Sequence, residues 1–183
     1  MTFNTTQWPT VVVVPARNEA DVIERTLRSL LEQDYPGEFH VVMVDDQSED
    51  CTGDIARQLA TKHPRGARLT VKVAEEWPSG WLGKVWALHT GLQYAEKHWP
   101  DAPYRYLTDA DIEHSWRKLR ELVSKAEFGG LDLVSLMVRL HGQHVWEKLL
   151  IPAFVYFFQK LYPFPLINDH NSTVGGAAGV SSL

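Results

Sequence analysis

Four consecutive valines, Val11-Val12-Val13-Val14, open a series of short β-forming runs separated by segments of helical periodicity. A run that is apolar at every position is buried on both faces, and its alternation with helices predicts a largely parallel sheet covered by helices. Further strands are expected at His40–Val44, Leu69–Val73, Tyr104–Thr108 and Asp132–Leu140, with another beginning over Ser172–Val180. Asn18 is expected to cap a first helix whose apolar positions Val22, Ile23, Thr26, Leu27, Leu30 and Leu31 recur at helical spacing, ended by Tyr35-Pro36-Gly37. A second helix carries Ile55, Ala56, Leu59 and Ala60. A third presents Val85, Leu88, Leu92 and Ala95 inward, and a fourth, capped by Ser115, presents Leu119, Leu122, Val123 and Ala126. The fold class is therefore α/β, with a Rossmann-like, mostly parallel sheet flanked by helices.

With 183 residues, 44% of them hydrophobic and 22% charged, one domain spanning 1–183 is expected. Residues 1–10 read as a flexible, polar N-terminal segment without the features of a secretory signal. A net charge of −5 and no long basic run argue against nucleic acid as the main partner. The lone Cys51 excludes an internal disulfide. Within an aromatic segment, 145–166, residues 145–162 are expected to be helical, kinked or started at Pro152. Pro152, Gln159 and Lys160 interrupt it too often for a membrane span. Its Phe and Tyr content suits either a membrane interface or a buried core helix. The run Val174–Val180 heads into an element soon before the sequence stops at Leu183, so the chain reads as C-terminally truncated.

Chemistry concentrates where strands end. His40–Val44 runs into Asp45-Asp46, and Tyr104–Thr108 into Asp109-Ala110-Asp111. Acid at the carboxyl end of a strand is where an open α/β sheet places ligand chemistry. Residues two apart in extended backbone point the same way, so Asp109 and Asp111 can grip one Mg²⁺ or Mn²⁺, which in turn would carry a diphosphate. Asp45 or Asp46 can accept from the imide N–H of uracil, or can simply begin a turn. Pro15-Ala16-Arg17-Asn18-Glu19 lies at a strand-to-helix junction suited to an anionic or polar ligand. The plainer account there is an Asn18 cap and a first-turn acid at Glu19. Gly83-Lys84 opens a helix, and a lysine in a first turn opposes the helix dipole, which favours an anion nearby. His114 is a candidate further ligand, with a polar loop histidine the plainer account. No zinc pattern, nucleophile elbow or dinucleotide glycine motif is present.

Taken in order, Val11–Val14 with Pro15–Glu19, Val44-Asp45-Asp46-Gln47-Ser48, Gly83-Lys84 and Thr108-Asp109-Ala110-Asp111 resemble family 2 glycosyltransferases of the GT-A fold. Trp77–Ala87 and Leu150–Phe164 with Asn168-Asp169 resemble, within that family, the hopanoid-biosynthesis-associated branch, HpnB. The resemblance implies a nucleotide-sugar donor, UDP-linked, with Asp45 or Asp46 near the base and Glu19 near the nucleoside. Lys84 would lie near the phosphates or base, and Asp109 and Asp111 would be the metal and diphosphate acids. It further implies an inverting, metal-assisted transfer to a lipid-type acceptor, a hopanoid in that branch, at the cytoplasmic face of the cell membrane. The family's acidic base motif is not matched by Asp132 or Asp169, so the general base is expected beyond Leu183. Two alternatives compete. A nucleotidyltransferase normally has a glycine-rich loop after its first strand, which Pro15–Glu19 lacks. The other is a nucleotide-binding fragment without turnover.

Overall fold

In a computed structural model, residues 8–135, 145–161, 163, 167 and 181–183 are described. The chain runs β1 (Thr10–Ala16), α1 (Ile23–Leu31), β2 (Phe39–Asp45), α2 (Thr52–Lys62), β3 (Leu69–Val73), α3 (Gly83–His98), β4 (Tyr104–Thr108), α4 (Lys118–Gly129), α5 (Val145–Leu161) and β5 (Ser181–Ser182). The sheet order is β3-β2-β1-β4-β5, with β5 alone antiparallel. The expected α/β class with a parallel, helix-flanked sheet is what the chain adopts. The expected strand over Asp132–Leu140 is absent from 132–134, and only Ser135 bridges to Ser182. The rest of that expectation, the strand over Ser172–Val180, and Asp169 lie outside the described residues.

The valine run works as its composition demands. Val12 and Val14 join one core with Ile23, Leu27, Leu30, Met43, Tyr106, Leu119 and Leu122, while Val11 joins a second with Val42, Val44, Ala87 and Ala95. Successive residues thus serve opposite faces, α1, α2 and α4 covering one and α3 the other. Each such side chain, fully buried, contributes on the order of 1.5–3 kcal/mol before unfolded-state compaction is discounted.

Helix α3 sits on the sheet through Ala95, as expected, but otherwise through smaller residues than expected. Ala87, Gly91 and Ala95 are its buried positions, whereas Val85 is 47% exposed. The reason is close approach. A Cβ on Gly91 would run into Val13 Cγ1 and stand 3.0 Å from Val44 Cγ2. Small residues at four-residue spacing let the helix axis press onto the valines, with Trp86 and Tyr94 packing at the edges of that contact.

Neither expected cap is a cap. Residues 19–22 form a turn in which Ile23 N–H donates to the Glu19 carbonyl at 2.9 Å, and the α1 N-cap, Val22, makes no side-chain bond. Ser115 likewise precedes the true boundary of α4 at Arg117. The buried Gln33 does that work from afar. Its Oε1 accepts from Leu119 N–H at 2.9 Å, and its Nε2 donates to the Ser115 carbonyl at 2.8 Å and to the Ser29 carbonyl at 2.9 Å.

Pro152 lies inside α5 rather than at its start. Leu150, Tyr156, Phe157 and Leu161 on that helix are all more than 60% exposed, so this face is not a core face. Among the described residues no helix is long and apolar enough to cross a membrane.

Candidate functional site

Strands β2 and β3 continue outward from one side of β1, and β4 then returns to its other side. The crevice above β1 and β4 is thus the point where strand order reverses, the usual ligand position in open α/β sheets. Pro15 helps open it. The β1–β4 ladder ends at the Val13–Leu107 pair, while β1–β2 continues to Ala16–Asp45. Ala16 gives its carbonyl to Asp46 N–H at 2.8 Å. Alternation therefore turns the Pro15 peptide toward β4, where pairing has already stopped and a missing N–H leaves no bond unmade.

The resulting cleft, about 190 Å³, is lined by Pro15, Ala16, Arg17, Glu19, Asp46, Lys84, Asp109, Ala110 and Asp111. That volume is below the roughly 300–1,000 Å³ of pockets enclosing a whole drug-sized ligand, so it has room for part of a larger ligand. Of the candidate site residues named from the sequence, all but Asp45 and His114 line it. The two adjacent acids diverge because Asp45 ends β2 and Asp46, the next residue, continues the alternation to the opposite face. Asp45 Oδ1 accepts from Ser48 N–H at 3.0 Å and closes the turn after β2, with its other oxygen packed against Gly53 of α2. Asp46 faces the cleft.

Asp46 is 3% exposed, and its Oδ1 is buried with no hydrogen-bond partner among the described residues. Its Oδ2 lies 3.7 Å from Arg17 Nη1. Gly83 at the start of α3 is pressed against the same carboxylate, so closely that a Cβ there would collide with Oδ2. The positive end of α3, which has no acid in its own first turn, therefore meets an acid from β2. Lys84 in that turn is matched by Asp109, whose Oδ1 is 2.7 Å from the ammonium. The unfavourable position of Lys84 seen in the sequence is answered by these two carboxylates.

Burial, followed by the charges of Asp111, Asp50 and Asp109, raises the Glu19 carboxyl above its ordinary range, with Lys84 pulling the other way. The cleft thus concentrates negative charge, against which a cation would be favoured. Among the described residues no group of three or more His, Cys, Asp or Glu forms a metal cage. The cleft's carboxylates are hard oxygen donors of the kind that would hold Mg²⁺ or Mn²⁺. The hard oxygens of Asp109 and Asp111 fit such an ion.

His114 is neither a cleft ligand nor a surface loop residue. It is 7% exposed beneath the site, with Nδ1 3.3 Å from the Tyr106 hydroxyl and Nε2 3.3 Å from Thr108 Oγ1. Burial, aided by Lys118, pushes its pKa down to about 4.

One supporting arrangement was not legible in advance. Asn18 adopts φ 54°, its N–H donates to Ser48 Oγ at 3.0 Å, and its Oδ1 accepts from Glu49 N–H at 2.8 Å. Glu19 N–H donates to Thr52 Oγ1 at 2.8 Å, and Ala20 N–H donates to Asp50 Oδ2 at 3.1 Å. Thr52 in turn donates to Asp50 through both its N–H and its hydroxyl. The only sequence signal was the density of Ser, Asp and Thr over 48–52.

Comparison with known proteins bears on the family and the fold. Residues 11–181 match the family described as Glycosyl transferase family 2. The 4,4'-diaponeurosporenoate glycosyltransferase of Staphylococcus haemolyticus is 27% identical over 124 residues, covering 66% of this chain and 30% of that protein. The mannosyltransferase PcManGT from Pyrobaculum calidifontis, solved with GDP-Man and Mn²⁺, superposes with a TM-score of 0.61 at 32% identity, covering 74% of this chain and 37% of that one. TarS of S. aureus, solved with UDP-GlcNAc, gives a TM-score of 0.55 at 25% identity, covering 75% and 36%. The chain spans about a third of the length of the curated relatives it matches.

Proposed function

The chain belongs to glycosyltransferase family 2, and from that premise we propose that it binds a nucleoside-diphosphate sugar, UDP-linked, for transfer of the sugar to a lipid-type acceptor with inversion. The supporting observation is the convergence of Asp46, Glu19, Asp109 and Asp111 with Arg17 and Lys84 in one crevice at the reversal of strand order. Asp109 and Asp111 would hold Mg²⁺ or Mn²⁺, which when bound supplies neutralisation of the diphosphate charge. Lys84 and Arg17 add fixed positive charge beside the same phosphates. The Asp46 carboxylate, which lines the cleft, accepts from a ring N–H of the base. Uracil and guanine both offer one there and cytosine does not, so uridine is chosen on the family resemblance, with guanosine the competitor to test. Glu19 faces the nucleoside. In the transfer, an acceptor hydroxyl loses its proton to a carboxylate as its oxygen attacks the anomeric carbon. The bond from that carbon to phosphate oxygen breaks, and the nucleoside diphosphate leaves. Among the described residues we assign no general base.

The exposed aromatic face of α5 supports an acceptor drawn from a membrane surface, at its cytoplasmic face. The Trp77–Ala87 segment, through its branch resemblance, supports a hopanoid.

Incubation with UDP- and GDP-linked sugars, with and without Mn²⁺, tests the reading. Release of free nucleoside diphosphate supports it. Release of pyrophosphate on offering a sugar phosphate and nucleoside triphosphate would instead make the protein a nucleotidyltransferase. Donor binding without release leaves a binding module, and no binding of any donor sinks the proposal.

A further inference from the structure

The strand that carries Asp109 and Asp111 is held by groups that never enter the cleft. Tyr106 and Thr108 on β4, and Ala110 in the turn that follows it, face the core and are each less than 5% exposed, while Asp109 and Asp111 line the cleft. Beyond Thr108 the backbone has left the sheet, so ladder bonds no longer fix it. The chain turns there, and His114 brings it back: its imidazole reaches the Tyr106 hydroxyl with one nitrogen and the Thr108 hydroxyl with the other. Its backbone N–H donates to Ser29 Oγ at 3.0 Å, and Ser29 Oγ donates to the Thr26 carbonyl at 2.7 Å, so α1 holds the same turn.

A neutral imidazole has one donor and one acceptor, and a hydroxyl can serve either. Both ring nitrogens are thereby satisfied in the core without a charge. This closes a loop of residues 108–114 on itself, with the two acids on its outer side and Ala110 buried beneath them.

We propose that His114 is the positioning residue of the Asp109–Asp111 pair, setting the separation and aim of the two carboxylates through Thr108 without touching the cation or the donor. The inference rests on the reading of that pair as a cation site. Groups that orient metal-binding side chains typically change metal affinity by about 10–100-fold when removed, and an indirect link such as this belongs at the lower end.

The test compares the full chain with His114→Leu and His114→Gln, measuring Mn²⁺ and metal-free UDP binding by calorimetry together with thermal melting. His114→Leu is expected to weaken Mn²⁺ about tenfold and leave metal-free UDP within about twofold, because Arg17 and Asp46 follow β1 and β2 and are not held by the turn after β4. His114→Gln, which retains a donor and an acceptor, should recover most of the loss. A merely structural role would lower both affinities together, and that result overturns the inference, as does unchanged Mn²⁺ affinity in His114→Leu. If His114→Leu does not fold, Thr108→Val removes the same link at its other end and must weaken Mn²⁺ for the inference to stand. A parent chain that binds UDP but no Mn²⁺ removes the cation reading itself. A parent that binds Mn²⁺ with all three variants matching it removes only the role of His114.

Discussion

The Lys84 ammonium lies 2.7 Å from Asp109 Oδ1, across the crevice between the start of α3 and the end of β4. On the proposed reading Asp109 would hold a cation where this ammonium lies, and the same lysine would meet the donor's phosphates. The two demands oppose each other, and a single substitution separates them.

Lys84→Met should strengthen Mn²⁺ binding to the ligand-free protein, because the competing ammonium is gone. It should weaken metal-free UDP by roughly tenfold, the low end for a charged hydrogen bond at a half-exposed site. Asp109→Asn should do the reverse on Mn²⁺. Calorimetry on both proteins decides the matter, and parallel losses in Lys84→Met would show that the pair does not compete with the ion.

Asp46→Ala should weaken UDP even without metal, by about tenfold or more for loss of a charge-assisted bond. Asp45→Ala, whose carboxylate turns away to Ser48, should reduce stability more than affinity. Fluorescence titration of UDP alongside urea unfolding separates the two effects. Equal affinity losses would return Asp45 to the cleft.

Stability should fall in acid through His114. Its ordinary value is 6.5 and burial lowers it to about 4 in the fold. Above 6.5 neither folded nor unfolded chain carries the proton. As pH drops, the unfolded chain takes it up first, so stability declines from about 6.5 down to about 4 and levels off below. The full effect is at most about 3 kcal/mol. Urea midpoints at pH values across this window should decline less steeply in His114→Gln than in the parent, and an equal decline would locate the acid sensitivity elsewhere.

Gly91→Ala sets two effects against each other. Helix propensity favours alanine by about 1 kcal/mol, whereas overpacking a core usually costs about 1–3 kcal/mol. The new methyl meets Val13, a β-branched side chain in a central strand that has little freedom to move aside. Overpacking should win, with a net loss on the order of 1 kcal/mol in urea unfolding. A stabilised variant would mean that α3 can lift from the sheet at little cost.

The sequence was most readable where one local rule acted alone. Leu69–Val73 and Tyr104–Thr108 form strands with the expected bounds, because β-branched and apolar residues there meet clear turn residues on either side. The inward face of α4 was legible for the same reason, its Leu119, Leu122, Val123 and Ala126 being both apolar and helically spaced. Helix α3 was misread because glycine and alanine carry little hydrophobic signal, although close approach needs them. Asn18 and Ser115 looked like caps because local preference cannot reveal a partner thirty or more residues away, here Ser48 and Gln33. The candidate site was legible as acids at strand ends, and strand alternation alone could have parted Asp45 from Asp46. The pairing of Lys84 with Asp109 was not legible, since it depends on how far α3 leans over β4.

The bonds joining residues 18–20 to residues 48–52 bear on any attempt to re-engineer this protein. A graft that replaced one of those loops with its counterpart from a relative would strand the polar groups of the other. Chimeras should therefore exchange both as a unit, and randomised libraries directed at Glu19 should vary Thr52 alongside it.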